Sequence, residues 1–249
     1  MSKIKLFCVP YAGGSAMIYR KWNRILSDFI ELVPVELSGR GSRMNGNLYK
    51  NFNEAVEDVY SFIVENLDDN SYAMFGHSMG SWIVFEVCNK IYKSTNMKPI
   101  HMFFSGNTAP HIKGDEKPIH KLPTSEFIRE IISMGDTPKE LFEDEELANI
   151  FIPILKSDYK LVETYECYNR DFKIDCDISI FNGTKDSITG KQLLGWSKYS
   201  NAGFEIFNFD GGHMFINEKM KEVVNSINNI LSNVYKEKNI HNNMENLYV

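Results

Sequence analysis

Gly76-His77-Ser78-Met79-Gly80 sets a serine between two glycines, directly after the apolar run Tyr72–Phe75 and directly before a helical pattern that begins at Ser81. A strand, a tight turn and a helix in that order lift the serine hydroxyl to the tip of the turn. The helix N-terminus behind it favours negative charge developing there. A serine hydroxyl is a weak nucleophile and needs a base. The chain has six histidines: His77, His101, His111, His120, His213 and His241. His77 belongs to the turn and is expected to point away from the hydroxyl. His101 opens a strand, His111 and His120 fall at or in a helical segment, and His241 is near the C-terminus. His213, in Gly211-Gly212-His213, follows the last strand-like run, Phe204–Phe209, and is the candidate base. The carboxylate that orients it should follow the preceding strand. Ile178–Phe181 leads into Asn182-Gly183-Thr184-Lys185-Asp186, which makes Asp186 the candidate. Asp210 is too near His213 to reach its ring, and Asp175 and Asp177 precede their strand and so belong to the opposite rim. The chain order Ser78, Asp186, His213 suits such a turn on a parallel sheet.

Acyl transfer by this set builds charge on a carbonyl oxygen, which two backbone N–H groups normally hold. Met79, the residue after the nucleophile, is one candidate donor. The other is Ala12, in the glycine-rich Tyr11-Ala12-Gly13-Gly14-Ser15 that follows the first strand, Ile4–Val9.

These residues need a scaffold, and the chain alternates short apolar runs with helical patterns. Strands are expected at Ile4–Val9, Leu32–Leu37, Tyr72–Phe75, Ile100–Phe104, Ile178–Phe181 and Phe204–Phe209, and helices over Tyr19–Phe29, Phe52–Leu67, Ser81–Tyr92 and within Met214–Tyr235. The alternation predicts an α/β fold, a mostly parallel sheet flanked by helices, with functional residues in the loops after strands. Residues 113–170 interrupt it with two apolar stripes, Phe127, Ile128, Ile131, Ile132 and Leu147, Ile150, Phe151, Ile154, Leu155. They read as an inserted helical lid on a core made of residues 1–112 and 171–235. Pro153 is expected to kink or divide the second stripe. Glu143-Asp144-Glu145-Glu146 reads as a solvated helix start, and the polar stretch 236–249 as a fraying tail.

Composition narrows the function classes. The 249 residues are 43% hydrophobic and 24% charged, and the net charge of −6 disfavours nucleic acid as a partner. No apolar run approaches the ~20 residues of a membrane span, and no secretion signal is evident, so a cytoplasmic location is expected. Cys8, Cys88, Cys167 and Cys176 form no CxxC pair and read as free thiols. Metal-binding HExxH and the phosphate-binding Walker loop are absent. Gly39-Arg40-Gly41 lacks the third glycine of a dinucleotide loop, Met44 standing there.

Taken together, Pro10-Tyr11-Ala12-Gly13-Gly14-Ser15-Ala16, Leu37-Ser38-Gly39-Arg40-Gly41-Ser42-Arg43, Gly76-His77-Ser78-Met79-Gly80 and Gly211-Gly212-His213 resemble the type II thioesterases that accompany non-ribosomal peptide and polyketide synthases. Leu155-Lys156-Ser157-Asp158-Tyr159 and Val162-Glu163-Thr164-Tyr165 are similar as well, so that the likeness spans about residues 4–230. It implies an α/β-hydrolase fold with a helical lid. It also implies an editing enzyme that clears stalled or wrong acyl groups from the phosphopantetheine arm of acyl or peptidyl carrier proteins. Ser78, Asp186 and His213 would be catalytic, and Ala12 and Met79 the oxyanion donors. The enzyme would need no metal or cofactor of its own and would act as a monomer. Arg40 and Arg43 are candidate contacts to the arm's phosphate or to an acidic carrier. Ser38 stands where the family commonly has proline. The alternatives are an acyl-CoA thioesterase or carboxylesterase with the same triad and, from another class, a hydrolase-like binding protein without turnover.

Overall fold

The computed structural model describes residues 3–245 except positions 69, 96, 113, 115, 116, 136 and 168, with side chains described to residue 236. Six strands, β1 (Ile4–Val9), β2 (Ile30–Pro34), β3 (Tyr72–His77), β4 (His101–Ser105), β5 (Ile178–Gly183) and β6 (Phe204–Phe209), form one sheet in the order β2-β1-β3-β4-β5-β6. Every neighbouring pair is parallel. β3, β4 and β5 are buried along their whole length, because helices cover both faces of a parallel sheet and strands there read as continuous apolar runs. β6 is an edge strand and is only partly buried. The order reverses between β1 and β3: the chain leaves β1 outward to β2 and returns past it to β3. Crevices at such switch points, beyond the carboxyl ends of the strands, are where open α/β sheets bind ligands.

Helix α1 (Phe52–Asn66) begins where Asn51 caps the Glu54 N–H, and it buries Phe52, Ala55, Val56, Val59 and Ile63 as one stripe. α2 (Met79–Thr95) follows β3 after a single residue and lies almost wholly inside the core. Phe7, Met74, Met102, Phe104 and Trp196 pack with α1 and α2 on one face of the sheet; Leu6, Phe75, Phe103 and Phe181 pack with Tyr19, Trp22 and the C-terminal helix on the other. The expected helix over Tyr19–Phe29 is instead a 3₁₀ segment, Ala16–Arg24, capped by Ser15. Three residues per turn stack positions i and i+3, which puts Tyr19 and Trp22 on the same buried face. β2 begins and ends earlier than the run Leu32–Leu37, because its register with β1 runs from Ile4↔Ile30 to Cys8↔Pro34.

The insertion holds α3 (Thr124–Ser133), the short α4 (Glu140–Glu143) and α5 (Glu145–Thr164). Phe127, Ile131 and Leu155 make a small separate core there. The acidic run does start a helix, with the Asp144 side chain accepting the Leu147 N–H. Pro153 does not divide α5, which continues through it; the proline removes one intrahelical donor, and the flanking apolar stripe carries the helix past the gap. α6 (Gly190–Leu194) lies between β5 and β6 in sequence, and α7 (Phe215–Glu218) and α8 (Met220–Glu245) follow β6. The polar stretch from Lys236 continues α8 to Glu245 where fraying was expected. The lid's expected first residue, 113, the last four residues of the tail and the His241 side chain lie outside the described residues.

Candidate active site

Ser78 sits between β3 and α2 with φ 52°, the one positive φ of a non-glycine residue among the described residues. The conformation is forced by the neighbours. A Cβ on Gly76 would overlap the Gly80 carbonyl, and one on Gly80 would overlap the Val9 carbonyl of β1. Strand and helix therefore approach as only glycine allows, and the residue at the apex takes the strain. The Ser78 N–H donates to the Ser105 carbonyl at 2.7 Å, its carbonyl accepts from Ser81 N–H at 2.9 Å, and the Asn107 side-chain amide donates to the same carbonyl at 2.8 Å. The apex is held from β4 as well as from its own helix.

The other two members meet because their loops are locked together. A Cβ on Gly183, the last residue of β5, would overlap the carbonyls of Gly211 and Gly212. Thr184 N–H donates to Phe209 carbonyl at 2.8 Å and Lys185 N–H to Gly211 carbonyl at 2.9 Å. Asp186 Oδ2 then lies 2.8 Å from His213 Nδ1. The Asp186 carboxyl is 4% exposed and the His213 ring 28% exposed. Burial pushes the Asp186 carboxyl up, but His213 and the backbone N–H groups of Ser187 and Ile188 more than offset it and hold the carboxyl below its usual value. With Nδ1 on the carboxylate, Nε2 is the nitrogen left for proton transfer. Ser78, Asp186 and His213 line one cavity of about 350 Å³, together with Trp82, Asn107 and Val162.

His77, beside the nucleophile, is fully buried and turned away as expected. Its Nδ1 lies 2.8 Å from Ser105 Oγ, and its ring packs against Tyr11, His213 and Phe215. Burial pushes its pKa well below the usual histidine value, so it stays neutral. His111 pairs with Tyr199 and His120 with Glu163 of α5, and neither lines the cavity with the serine. Asp175 and Asp177 are on the opposite rim, and Asp210 is exposed and paired with Lys185 and Lys219.

Met79 opens α2 beside the nucleophile, and the loop after β1 packs directly on the elbow, since the Pro10 carbonyl also crowds Gly80. In that loop Gly14 N–H closes a turn onto the Tyr11 carbonyl at 2.9 Å, and Gly13 N–H donates to Asp158 Oδ2 at 2.7 Å. Gly13 has φ 77°, open to glycine alone without strain. Ala12, the expected second oxyanion donor, immediately precedes Gly13 in this turn.

The structure corrects one of the two arginines. Arg40 is not on the surface: its side chain is 3% exposed and forks onto Asp158 of α5, Nη1 to Oδ2 at 2.5 Å and Nη2 to Oδ1 at 2.8 Å. Arg43 forks onto Asp58 of α1 at 2.6 and 2.8 Å and donates to the Glu36 carbonyl. The Arg40 guanidinium is buried on its carboxylate and is not presented to a phosphate, whereas the Arg43 side chain, also paired with a carboxylate, is 38% exposed. The Ser38 N–H donates to the Tyr49 hydroxyl at 2.9 Å, a bond that proline at this position lacks. Asn107 and Trp82 of the cavity lining, and the role of Asp158 within the lid motif Leu155–Tyr159, were not revealed by the motifs. Asp158 carried a signal all the same: it sits on the buried stripe of α5 with Ile154, Leu155 and Leu161, where an acid is out of place unless paired.

Comparison with known proteins agrees with this geometry. The linear gramicidin dehydrogenase LgrE of Brevibacillus parabrevis is 32% identical over 92% of this chain and 88% of its own. ClbQ from the colibactin NRPS/PKS pathway is 36% identical, with a TM-score of 0.90 over 94% of this chain and 99% of its own. The type II thioesterase BorB from the borrelidin biosynthetic cluster is 26% identical, with a TM-score of 0.81 over 90% of this chain and 91% of its own. The model of the thioesterase domain matches residues 4–231. With an elbow serine and a histidine–aspartate pair on one rim of an α/β-hydrolase sheet, this chain belongs to the thioesterase domain family, serine hydrolases that act on acyl thioesters.

Proposed function

We propose that the protein hydrolyses acyl groups from the phosphopantetheine arm of acyl or peptidyl carrier proteins in a non-ribosomal peptide or polyketide pathway, as an editing enzyme. The observation that carries the reading is the cavity in which the strained Ser78 meets the Asp186–His213 pair under the lid. That ClbQ comes from an NRPS/PKS pathway, and that BorB is a type II thioesterase of a biosynthetic cluster, supports the carrier-bound substrate.

In this reading His213 Nε2 takes the Ser78 proton as Oγ attacks the thioester carbonyl. The N–H groups of Met79 and Ala12 hold the oxyanion, and Asp186 stabilises the imidazolium. The C–S bond breaks, and the pantetheine sulfur leaves as a thiol with the proton from His213. Water, deprotonated by His213, then attacks the acyl-serine ester, and Ser78 recovers its proton as the free acid departs. A thiolate is a good leaving group, so no stronger acid is required.

LgrE's name implies redox chemistry, but the third glycine of a dinucleotide loop is missing after Gly39-Arg40-Gly41, and the Glu36 carboxylate fills the space over Gly41. The discriminating experiment compares one acyl group on a carrier protein, on coenzyme A and as an oxygen ester. Higher kcat/KM on the carrier supports editing. Equal or higher rates on the other two would make the protein an acyl-CoA thioesterase or a carboxylesterase.

A further inference from the structure

Asp158 makes no contact with the nucleophile or its base, yet it is fully buried with both oxygens engaged. It projects from lid helix α5 into the junction of two core loops. Arg40, from the loop after β2, holds the carboxylate by a two-pronged ion pair and also donates to the Gly14 carbonyl at 3.3 Å. Oδ2 accepts the Gly13 N–H at 2.7 Å. Leu155, one turn earlier on α5, packs on Gly13 so closely that a Cβ there would collide with its side chain. The turn Tyr11–Gly14 is thus gripped from outside by one helix at two points. Its own internal bond, Gly14 N–H to Tyr11 carbonyl, and the Gly13 bond to Asp158 fix the two amides that follow Ala12.

We propose that Asp158, locked by Arg40, is a positioning residue that sets the Ala12 N–H in the oxyanion hole, so that the seating of lid helix α5 completes the catalytic site. The inference rests on reading Ala12 as an oxyanion donor. A donor displaced by an ångström loses most of its effect on the transition state while substrate binding is little changed.

The test measures kcat and KM for an acyl thioester, and inhibition by an alkylboronic acid whose tetrahedral adduct on serine needs the same hole. The variants are Asp158→Asn and the paired Arg40→Met/Asp158→Leu. The pair removes both charges together, a replacement that stable folds tolerate, and so separates stability from positioning. In each folded variant, with active sites counted by a covalent serine probe, kcat should fall at least ~10-fold, within the range for a weakened oxyanion donor. KM should stay within about 3-fold, and boronate affinity should fall in parallel with kcat. A lower Tm with kcat and boronate affinity within about 2-fold of wild type would overturn the proposal. Failure of both variants to fold would assign the pair to stability alone and overturn it too. A wild-type protein that hydrolyses no acyl thioester would sink the proposed function instead.

Discussion

The two ends of the sheet each hold a cavity lined by a serine, a histidine and an aspartate, and only one end is built for catalysis. At the amino end the cavity is about 410 Å³ and is lined by His101, Asp177 and Ser179; at the carboxyl end it is about 350 Å³ and holds Ser78, Asp186 and His213. His101 Nε2 lies 2.9 Å from Ser179 Oγ, so even the histidine–serine contact is present at the amino end. Three things are missing there. Ser179 lies within β5 in extended backbone, without the strained apex and helix N-terminus that present Ser78. Asp177 Oδ1 accepts the Gly203 N–H, and His101 Nδ1 has no hydrogen-bond partner, so no carboxylate orients the ring. Burial pushes His101 down to about 4, against a smaller opposing pull from Asp177, which makes it a poor proton acceptor at neutral pH. Backbone geometry and the aspartate–histidine bond separate a catalytic set from a structural one; residue type does not.

Substitutions on both ends sharpen that contrast. Ser78→Ala and His213→Ala should each lower kcat by about 10⁶-fold if the triad acts as a unit, measured on an acyl thioester. A loss of less than about 10-fold would remove either residue from its role. Asp186→Asn should cost on the order of 10⁴, because an amide favours the wrong imidazole tautomer. Activity near wild type would mean that the 2.8 Å contact to His213 does not matter for the chemistry.

At the amino end the effects should appear in stability. A histidine whose folded pKa lies below its unfolded value contributes stability that is complete above the unfolded pKa, near 6.5, and is lost as pH falls toward the folded value, here about 4. Wild type should therefore lose stability between pH 6.5 and 4, and His101→Gln should flatten that limb in urea unfolding. His77, also depressed by burial, keeps the limb from vanishing. An unchanged limb would contradict the buried, neutral state of His101. Ser179→Ala should give the smallest effect on function: kcat within about 2-fold of wild type, with a stability loss of about 1–3 kcal/mol for the unpaired His101 nitrogen. A large fall in kcat would give the amino-end cavity a role in turnover.

The same contrast explains what the sequence made legible. The elbow, the Gly211-Gly212-His213 loop and Asp186 were readable because each is a short segment tied to a strand end, and strand ends follow from apolar runs. The core strands and helices α1 and α2 were readable for the same reason. Arg40 was misread because its partner lies 118 residues away on the lid, and nothing local distinguishes a buried guanidinium from an exposed one. The 3₁₀ segment Ala16–Arg24 was missed because Tyr19 and Trp22, three apart, satisfy a helical period and a 3₁₀ period alike. Pro153 does not divide α5 because the helix is held by its packing on the core, which outweighs the one lost hydrogen bond.

The central claim is tested most directly by intact-protein mass spectrometry of an acylated carrier protein mixed with this enzyme and quenched at short times. The account predicts loss of the acyl mass from the carrier, a transient gain of that mass on the enzyme, and neither change with Ser78→Ala. Deacylation of the carrier by Ser78→Ala at the wild-type rate would contradict it.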